Sequence, residues 1–285
     1  MQSNIRLATR KSRLALHQSM LVRDALISAD SGLQVELIEV STTGDRQQDW
    51  SLQNEGGVGL FTKELENLLL TGAADIAVHS SKDLPAIQVD GLAIAGYLPR
   101  GDAHDVLVLR EKVPAPSTIA TGSPRRREQL RQKFPEASWL EIRGNVETRL
   151  NKICEGYADA TVLAAAGLAR LGIQTRAGIV FKPLSKEEVV PAPGQGAIAV
   201  QCRVGEENRL PSIFCEKTGH AVGVEKRLLS LLGGGCHSCI GGFLEGNHLF
   251  VFHEDSCYYK FEIHAQDEAG TEIELQEIVK SLRKR

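Results

Sequence analysis

The chain has 285 residues, 42% hydrophobic and 24% charged, with a formal net charge of -3 at pH 7. That length exceeds one ordinary compact domain and suits two or three, and the composition excludes disordered and fibrous classes. A chain so close to neutral has no global field to draw it onto nucleic acid or a membrane, so any anion binding must come from a local cluster.

Taken in chain order, the N-terminus is charged by Arg6 and carries no apolar stretch, which excludes a secretory signal. No run approaches the length of a membrane span. The expectation is a cytoplasmic protein whose six cysteines, at 154, 202, 215, 236, 239 and 257, are free thiols. Residues 5–9 read as a strand that leads into a helix over 12–27, where Leu14, Leu21, Val22, Ala25 and Leu26 recur at helical spacing. Residues 35–40 form a second strand. The segment 42–59, with Gly44, Gly56, Gly57 and Gly59, is long and polar and reads as a mobile lid. A helix over 61–70 places Leu65, Leu68 and Leu69 on one face, and a strand over 75–79 ends in Ser80-Ser81-Lys82-Asp83-Leu84-Pro85.

The same grammar restarts with a strand at 119–121, a helix opened by Ser123 as N-cap and Pro124 in its first turn, a strand at 160–164, and a helix at 166–171 stopped by Gly172. Alternating strands and helices argue for parallel sheets joined by βα crossovers. Two echoes suggest doubling: Leu7-Ala8-Thr9 before Ser12 resembles Ile119-Ala120-Thr121 before Ser123, and Gly72 to Asp75 resembles Gly156 to Asp159. Loop-rich segments at 97–102 and 190–196 read as two crossings between lobes, with a strand over 197–202 after the second. Two crossings make a hinge, and a cleft is expected where strand ends converge. The expected division is 1–98 completed by 197–214 as the first lobe, 102–190 as the second, and 218–285 as a third unit. That unit contains a helix at 222–232, strands near 249–252 and 258–264, and a final helix at 272–282.

The basic residues cluster after strands: Arg10, Lys11 and Arg13 after the first, Lys82 after the third, Arg125, Arg126 and Arg127 after the fifth, with Arg143 and Arg149 around Gly144-Asn145-Val146. Guanidinium forks at helix N-termini suit a multiply charged anion, although helix-borne arginines are more often solvated or salt-bridged. Cations in the first turn of the helix after Ser123 oppose its dipole, which suggests a compensating ligand. Asp83, beside Lys82 at a strand end, could steady a positive charge that develops on a substrate; an ordinary surface turn is the plainer reading. Cys236 lies between glycines in Gly233-Gly234-Gly235-Cys236-His237-Ser238-Cys239, accessible to a bulky group and suited to covalent attachment. Zinc competes for it, because Cys236, Cys239, His248, His253 and Cys257 have finger-like spacing, but both histidines fall in an alternating strand rather than on a helix face.

An ordered series of motifs resembles one family, the porphobilinogen deaminases. It comprises Leu7-Ala8-Thr9-Arg10-Lys11-Ser12, residues 56–66, Ala74 through Pro85, Thr121-Gly122-Ser123-Pro124-Arg125-Arg126, Arg143-Gly144-Asn145-Val146 to Arg149, Ala165-Ala166-Gly167-Leu168 to Arg170, residues 191–197, and Gly234-Gly235-Cys236. The resemblance implies an α/β fold of two periplasmic-binding-protein-like (type II) lobes with a cleft, plus a small α+β C-terminal domain. It implies a monomeric transferase that joins four porphobilinogen molecules, with loss of ammonia, into hydroxymethylbilane. Each porphobilinogen would become an azafulvene-like electrophile attacked by the terminal pyrrole of the growing chain. The implied primer is a dipyrromethane cofactor held by a thioether to Cys236, and no metal is implied. Asp83 is the implied catalytic residue. The implied cofactor and substrate contacts are Arg10, Ser12, Ser80, Lys82, Thr121, Ser123, Arg125, Arg126, Arg143, Arg149, Arg170 and Gln195. The chain departs from the family pattern at Arg13, His104 and Cys239 and has a shortened end. Those departures open a further carboxylate contact at Arg13, a weaker or pH-dependent one at His104, and an oxidation-sensitive or competing thiol at Cys239. A non-catalytic bilobal anion-binding protein is the alternative reading; it would need neither Asp83 nor Cys236.

Overall fold

The computed structural model describes residues 4–42, 62–234, 238–253, 257–265 and 267–283. Outside these lie Cys236, the segment 43–59 expected as a lid, and Phe61 at the expected start of a helix.

Strand β1 (Asn4–Arg10) buries Leu7, Ala8 and Thr9, and Ser12 then caps helix α1 (Arg13–Ala29) by accepting from the Ala15 amide at 3.3 Å. The buried stripe of α1 is Ala15, Gln18, Ser19, Val22 and Leu26, whereas Leu21, expected on the apolar face, is exposed. Two polar residues turn inward because each has a partner there. Ser19 Oγ donates to Thr9 Oγ1 at 2.7 Å, and the Gln18 amide exchanges hydrogen bonds with the Ser80 hydroxyl at 2.9 and 3.1 Å.

Strand β2 (Gln34–Val40) pairs parallel with β1, helix α2 (Lys63–Leu70) buries Leu65 and Leu69, and β3 (Ile76–Ser80) pairs parallel on the other side of β1. With β4 (Leu92–Tyr97) and the late strand β10 (Ile198–Arg203), these make a sheet of order β2-β1-β3-β10-β4. The second sheet is built from β5 (Asp105–Arg110), β6 (Thr118–Ala120), β7 (Ser138–Leu140), β8 (Ala160–Ala164) and β9 (Ile179–Pro183) in the order β7-β6-β8-β5-β9. Helices α3 (Pro124–Arg131), α4 (Val146–Cys154) and α5 (Ala165–Arg170) belong to this half.

The two orders correspond strand for strand, with β5 in one standing where β10 stands in the other. The sequence echoes acquire a physical role here. Asp75, just before β3, accepts from the Arg6 amide and guanidinium, and Asp159, just before β8, accepts from the Ser117 and Thr118 amides and the Arg110 guanidinium. Each aspartate ties its strand to the neighbouring one at the same edge. The expectation of parallel sheets is corrected: β10 runs antiparallel to β3 and β4, and β5 runs antiparallel to β8 and β9. Both strands enter directly from a crossing between the halves. No helical crossover within their own sheet obliges them to run parallel.

The crossings lie side by side, with the Leu98 amide on the Ile198 carbonyl at 3.2 Å and the Gly101 amide on the Gly196 carbonyl at 3.1 Å. Gly196 has φ +84°, and a Cβ there would meet the Gly101 carbonyl at 2.6 Å, so only glycine permits this approach. The third unit comprises α6 (Glu216–Leu231), an antiparallel sheet of β11 (Ile240–Glu245), β12 (His248–His253) and β13 (Cys257–Glu262), and α7 (Glu268–Arg283). Its core joins Val224 and Leu228 of α6, Leu249 and Val251 of β12, and Leu275 of α7, each fully buried leucine contributing roughly 2 kcal/mol. Both helices begin earlier than apolar spacing indicated, and β11 was not expected at all. The architecture is therefore α/β: two periplasmic-binding-protein-like lobes of type II, followed by a small α+β unit.

Candidate active site

The carboxyl end of β3 runs into a single 3-10 turn, Ser81–Asp83, so that Lys82 and Asp83 project from the end of the first sheet. The turn is anchored by the Ser81 amide on the Ala197 carbonyl at 3.0 Å and closed by the Leu84 amide on the Ser81 carbonyl at 3.1 Å. Lys82 and Asp83 are both partly exposed. Burial and the nearby Arg126 guanidinium push the Lys82 ammonium down to about 8, with Asp83 acting in the opposite sense. Arg149, from α4 in the other lobe, is pushed down to about 10 by burial and by Arg126 and Arg143, and is again opposed by Asp83. The fields of Lys82, Asp83, Arg126, Arg143 and Arg149 therefore meet across the cleft.

Caps and turns place the remaining members. Ser12 and Ser123 both spend their hydroxyls as N-caps, and Thr121 Oγ1 accepts from the Ser123 amide at 3.2 Å. Arg143 pairs with Glu141 at 3.0 Å, and Arg149 Nε donates to the Gly144 carbonyl at 2.8 Å. Arg10 is partly exposed at the end of β1, and its charge opposes protonation of His79. Arg170 donates to the Gly196 carbonyl at 2.6 Å, placing it against the crossing.

Arg125 and Arg126 differ from the sequence expectation in what balances them. Both are buried, and both bind Asp105 at the start of β5, at 2.8 and 2.6 Å. Arg125 also donates to the Val190 carbonyl and Arg126 to the Val162 carbonyl. Burial alone would raise the Asp105 carboxyl, but the two guanidiniums outweigh it and hold it far below the usual carboxylate range. The charge facing the helix dipole is thus answered in part by a protein carboxylate, one Asp105 against two guanidiniums. Gln195 is buried in the same knot, its amide donating to the Ala103 carbonyl at 2.6 Å and to Asp105 at 2.9 Å. Ser80 likewise has its hydroxyl engaged by Gln18. Sequence reasoning missed Asp105, His79 and Gln18. The available signal for Asp105 was a lone acidic residue opening an apolar strand, Asp105-Val106-Leu107-Val108-Leu109.

Of the departures, Arg13 pairs with Glu147 across the mouth of the cleft, and His104 Nδ1 lies 2.6 Å from Asp102 Oδ1. Cys239 is buried in an apolar cluster with Ala103, Val190, Phe243, Phe250 and Phe252, which leaves its thiol inaccessible to a bulky group. No cluster of three or more metal-ligating side chains occurs among the described residues. The third unit docks on the crossings through Arg100, whose guanidinium forms a bidentate pair with buried Glu225 at 2.6 and 3.0 Å and lies 4.7 Å over the Phe243 ring. The same two Glu225 oxygens also accept from the Leu244 and Gly194 amides, one each, which satisfies a carboxylate that would otherwise be costly to bury.

A dipyrromethane carries several carboxylates, and the donor set fits such a group. Lys82, Arg125, Arg126, Arg143 and Arg149 outnumber the neighbouring Asp83, Asp105 and Glu141 by two, and burial first, with crowding by neighbouring cations after it, lowers the proton affinity of Lys82, Arg125 and Arg149. A ligand that brings negative charge relieves that crowding.

Comparison with known proteins bears on the family. Residues 5–210 match the family model for porphobilinogen deaminase, dipyrromethane cofactor binding domain. The chain is 42% identical to the porphobilinogen deaminase of Xanthomonas axonopodis pv. citri over 260 residues, covering 87% of this chain and 84% of that protein. It is 44% identical to the enzyme of that name from Syntrophobacter fumaroxidans over 246 residues, covering 84% and 79%. Among solved structures, the Bordetella pertussis BvgS periplasmic VFT2 domain matches with a TM-score of 0.43 at 19% identity, covering 72% of this chain and 82% of that one. The Corynebacterium glutamicum OxyR C206 mutant matches at 0.45 and 12%, covering 77% and 63%. On the family model and the curated relatives, the chain belongs to the porphobilinogen deaminase family.

Proposed function

We propose that the chain joins four porphobilinogen molecules into hydroxymethylbilane on a covalently attached dipyrromethane primer, with Asp83 as its catalytic residue and Cys236 as the attachment point. The observation that carries this reading is the meeting of Asp83 with cations of both lobes. Arg149 is among them, and the charge of Asp83 favours its protonated form.

When bound, the dipyrromethane would supply the free pyrrole carbon to which the first substrate is joined, each later substrate being joined to the pyrrole added before it. Each addition replaces the carbon–nitrogen bond of the substrate's protonated aminomethyl group with a carbon–carbon bond; ammonia leaves, and the attacking pyrrole carbon gives up its hydrogen as the proton that converts it to ammonium. Lys82, Arg10, Arg143, Arg149 and Arg170 hold acetate and propionate groups, with Ser12, Thr121 and Ser123, whose hydroxyl oxygens accept at their caps and turns, as neutral donors at the same strand ends; Ser80, its hydroxyl hydrogen given to Gln18, borders them. Arg125, Arg126 and Gln195 act from beneath, as a buried positive plate fixed by Asp105. Asp83 lowers the energy of positive charge on the pyrrole nitrogens as ammonia departs, and receives their N–H groups at its carboxylate oxygens. A fixed anion among cations stabilises a developing cation without help from solvent.

The working form is read as a cytoplasmic monomer, divided as 1–98 with 197–214, 102–190 and 218–285. No helix among the described residues is long and apolar enough to cross a membrane. An anion-binding protein without catalysis would use the arginines but would gain nothing from a carboxylate at position 83.

The attachment test is direct. Cys236→Ser protein is expected to show the bare polypeptide mass, against two added pyrrole units in the unsubstituted protein. An unchanged adduct on the serine variant would move the attachment elsewhere. A second test uses Lys82. Its depressed proton affinity means that it is charged below about pH 8 and increasingly neutral above. A carboxylate ligand restores the proton, so on loading primer-free protein with porphobilinogen at pH 8.5 the native protein is expected to take up more protons than Lys82→Met, the thioether formation and ammonia release being common to both. Calorimetry in buffers of different ionisation enthalpy measures the difference; equal proton balances in the two proteins would remove Lys82 from the ligand contacts.

A further inference from the structure

The turn that carries Lys82 and Asp83 is packed at its two ends, where Ser81 and Leu84 are buried. A cavity of about 300 Å³ between the first lobe and α6, bordered by Ser81, Leu84, Pro85, Gln88, Tyr97 and Lys226, lies against the residues that follow Asp83. Beside the cavity, the segment that follows Asp83 is held by hydrogen bonds in addition to those packed ends. A chain of side chains supplies them. His79 Nε2 lies 3.1 Å from Gln201 Oε1, Gln201 Nε2 donates to Gln88 Oε1 at 3.0 Å, and Gln88 Nε2 donates to the Pro85 carbonyl at 3.1 Å.

The polarity of the chain is consistent from end to end. Gln201 has its amide nitrogen committed to Gln88, so its oxygen faces His79 and the imidazole must donate from Nε2. Burial lowers the His79 ring to about 4, so it remains neutral in the working range, and the donated hydrogen fixes its tautomer. His79 stands four residues before Asp83 and Pro85 two residues after it, so the two ends of the chain grip both sides of the turn. The register explains how Gln201 reaches. On the antiparallel pair β3–β10, His79 faces Ala199 and Gln201 faces Ala77, which makes His79 and Gln201 diagonal neighbours on one face of the sheet. Strand β10 arrives directly from the second crossing, so this link also ties the turn to the strand that leads from the hinge. Gln201 is fully buried, and its amide would be costly to desolvate unless satisfied at both ends.

We propose that Gln201 and Gln88 are positioning residues for turnover, forming with His79 a relay that holds the Asp83 carboxylate at its working place beside the cavity. This rests on the reading of Asp83 as the catalytic residue, so Asp83→Asn accompanies the test. The variants are Gln201→Leu, Gln88→Leu and the pair together, prepared as full-length protein with the primer loaded and its mass verified, and assayed for kcat and KM with porphobilinogen. Each single variant is expected to lose about tenfold in kcat with KM within about twofold, and the double variant to lose no more than the worse single one, because one chain can be cut only once.

Losses that multiply in the double variant would show two independent packing effects and overturn the relay. So would a raised KM at unchanged kcat. Single variants at native turnover beside an inactive Asp83→Asn would overturn the relay alone. If Asp83→Asn also turned over normally, the catalytic reading itself would fall. Gln88 is only partly buried at the edge of the cavity. If Gln201→Leu does not fold, Gln88→Leu decides the proposal by its own kcat and KM.

Discussion

Replacing Asp83 with asparagine is expected to lower kcat by two to three orders of magnitude while leaving the primer attached and porphobilinogen binding largely intact. The substitution keeps shape and removes one negative charge. In a cleft where Lys82 and Arg149 already crowd one another's neighbours, that charge is the local counterweight to any cation formed on a substrate. Losing one preorganised electrostatic partner of a charged transition state costs about 3–4 kcal/mol, which sets the size of the effect. Ground-state binding should move the other way: without the carboxylate the cleft is more positive, and carboxylate ligands gain slightly. Single-turnover rates and intact mass on the same preparation separate the two. A variant that turned over within threefold of the native rate would end the assignment of Asp83 to chemistry.

Asp105→Ala is expected to be the most destabilising single change outside the hydrophobic cores, costing about 3–5 kcal/mol. Asp105 is fully buried and is the only carboxylate within salt-bridge distance of Arg125 and Arg126 among the described residues. Alanine would leave both guanidiniums buried without a counter-charge, and Gln195 would lose an acceptor at 2.9 Å. The pH dependence has a definite sign. The folded carboxyl titrates below its unfolded value of 3.8, so the native protein has the full contribution above that value and loses it as pH falls further. The variant should therefore show both a lower denaturation midpoint at pH 7 and a flatter acid limb. A loss under 1 kcal/mol would mean that solvent reaches the arginines and that the knot is not dry.

This knot also shows where reading residues in a row stops. Arg125 and Arg126 open a helix capped by Ser123, and their spacing and cap were legible because both depend only on near neighbours. Their balance was not, since Asp105 lies about 20 residues earlier and Val190 about 65 later. Leu21 and Gln18 of α1 make the same point in reverse. Periodicity assigned the apolar residue inward, but the Ser80 hydroxyl 62 residues away gave the glutamine a reason to be buried.

By itself the sequence determined the strand–helix alternation, the caps at Ser12 and Ser123, the return of the chain to its first sheet near residue 198, and the gathering of cations with Asp83 at strand ends. Those features follow from local propensity, spacing and motif. Only the tertiary structure decided the antiparallel sense of β5 and β10, the burial of Cys239, the pairing of Arg125 and Arg126 with Asp105, and the amide relay behind Asp83. Each of these depends on which distant groups share a dry space, where an unpaired charge or amide is costly, and no local pattern records that.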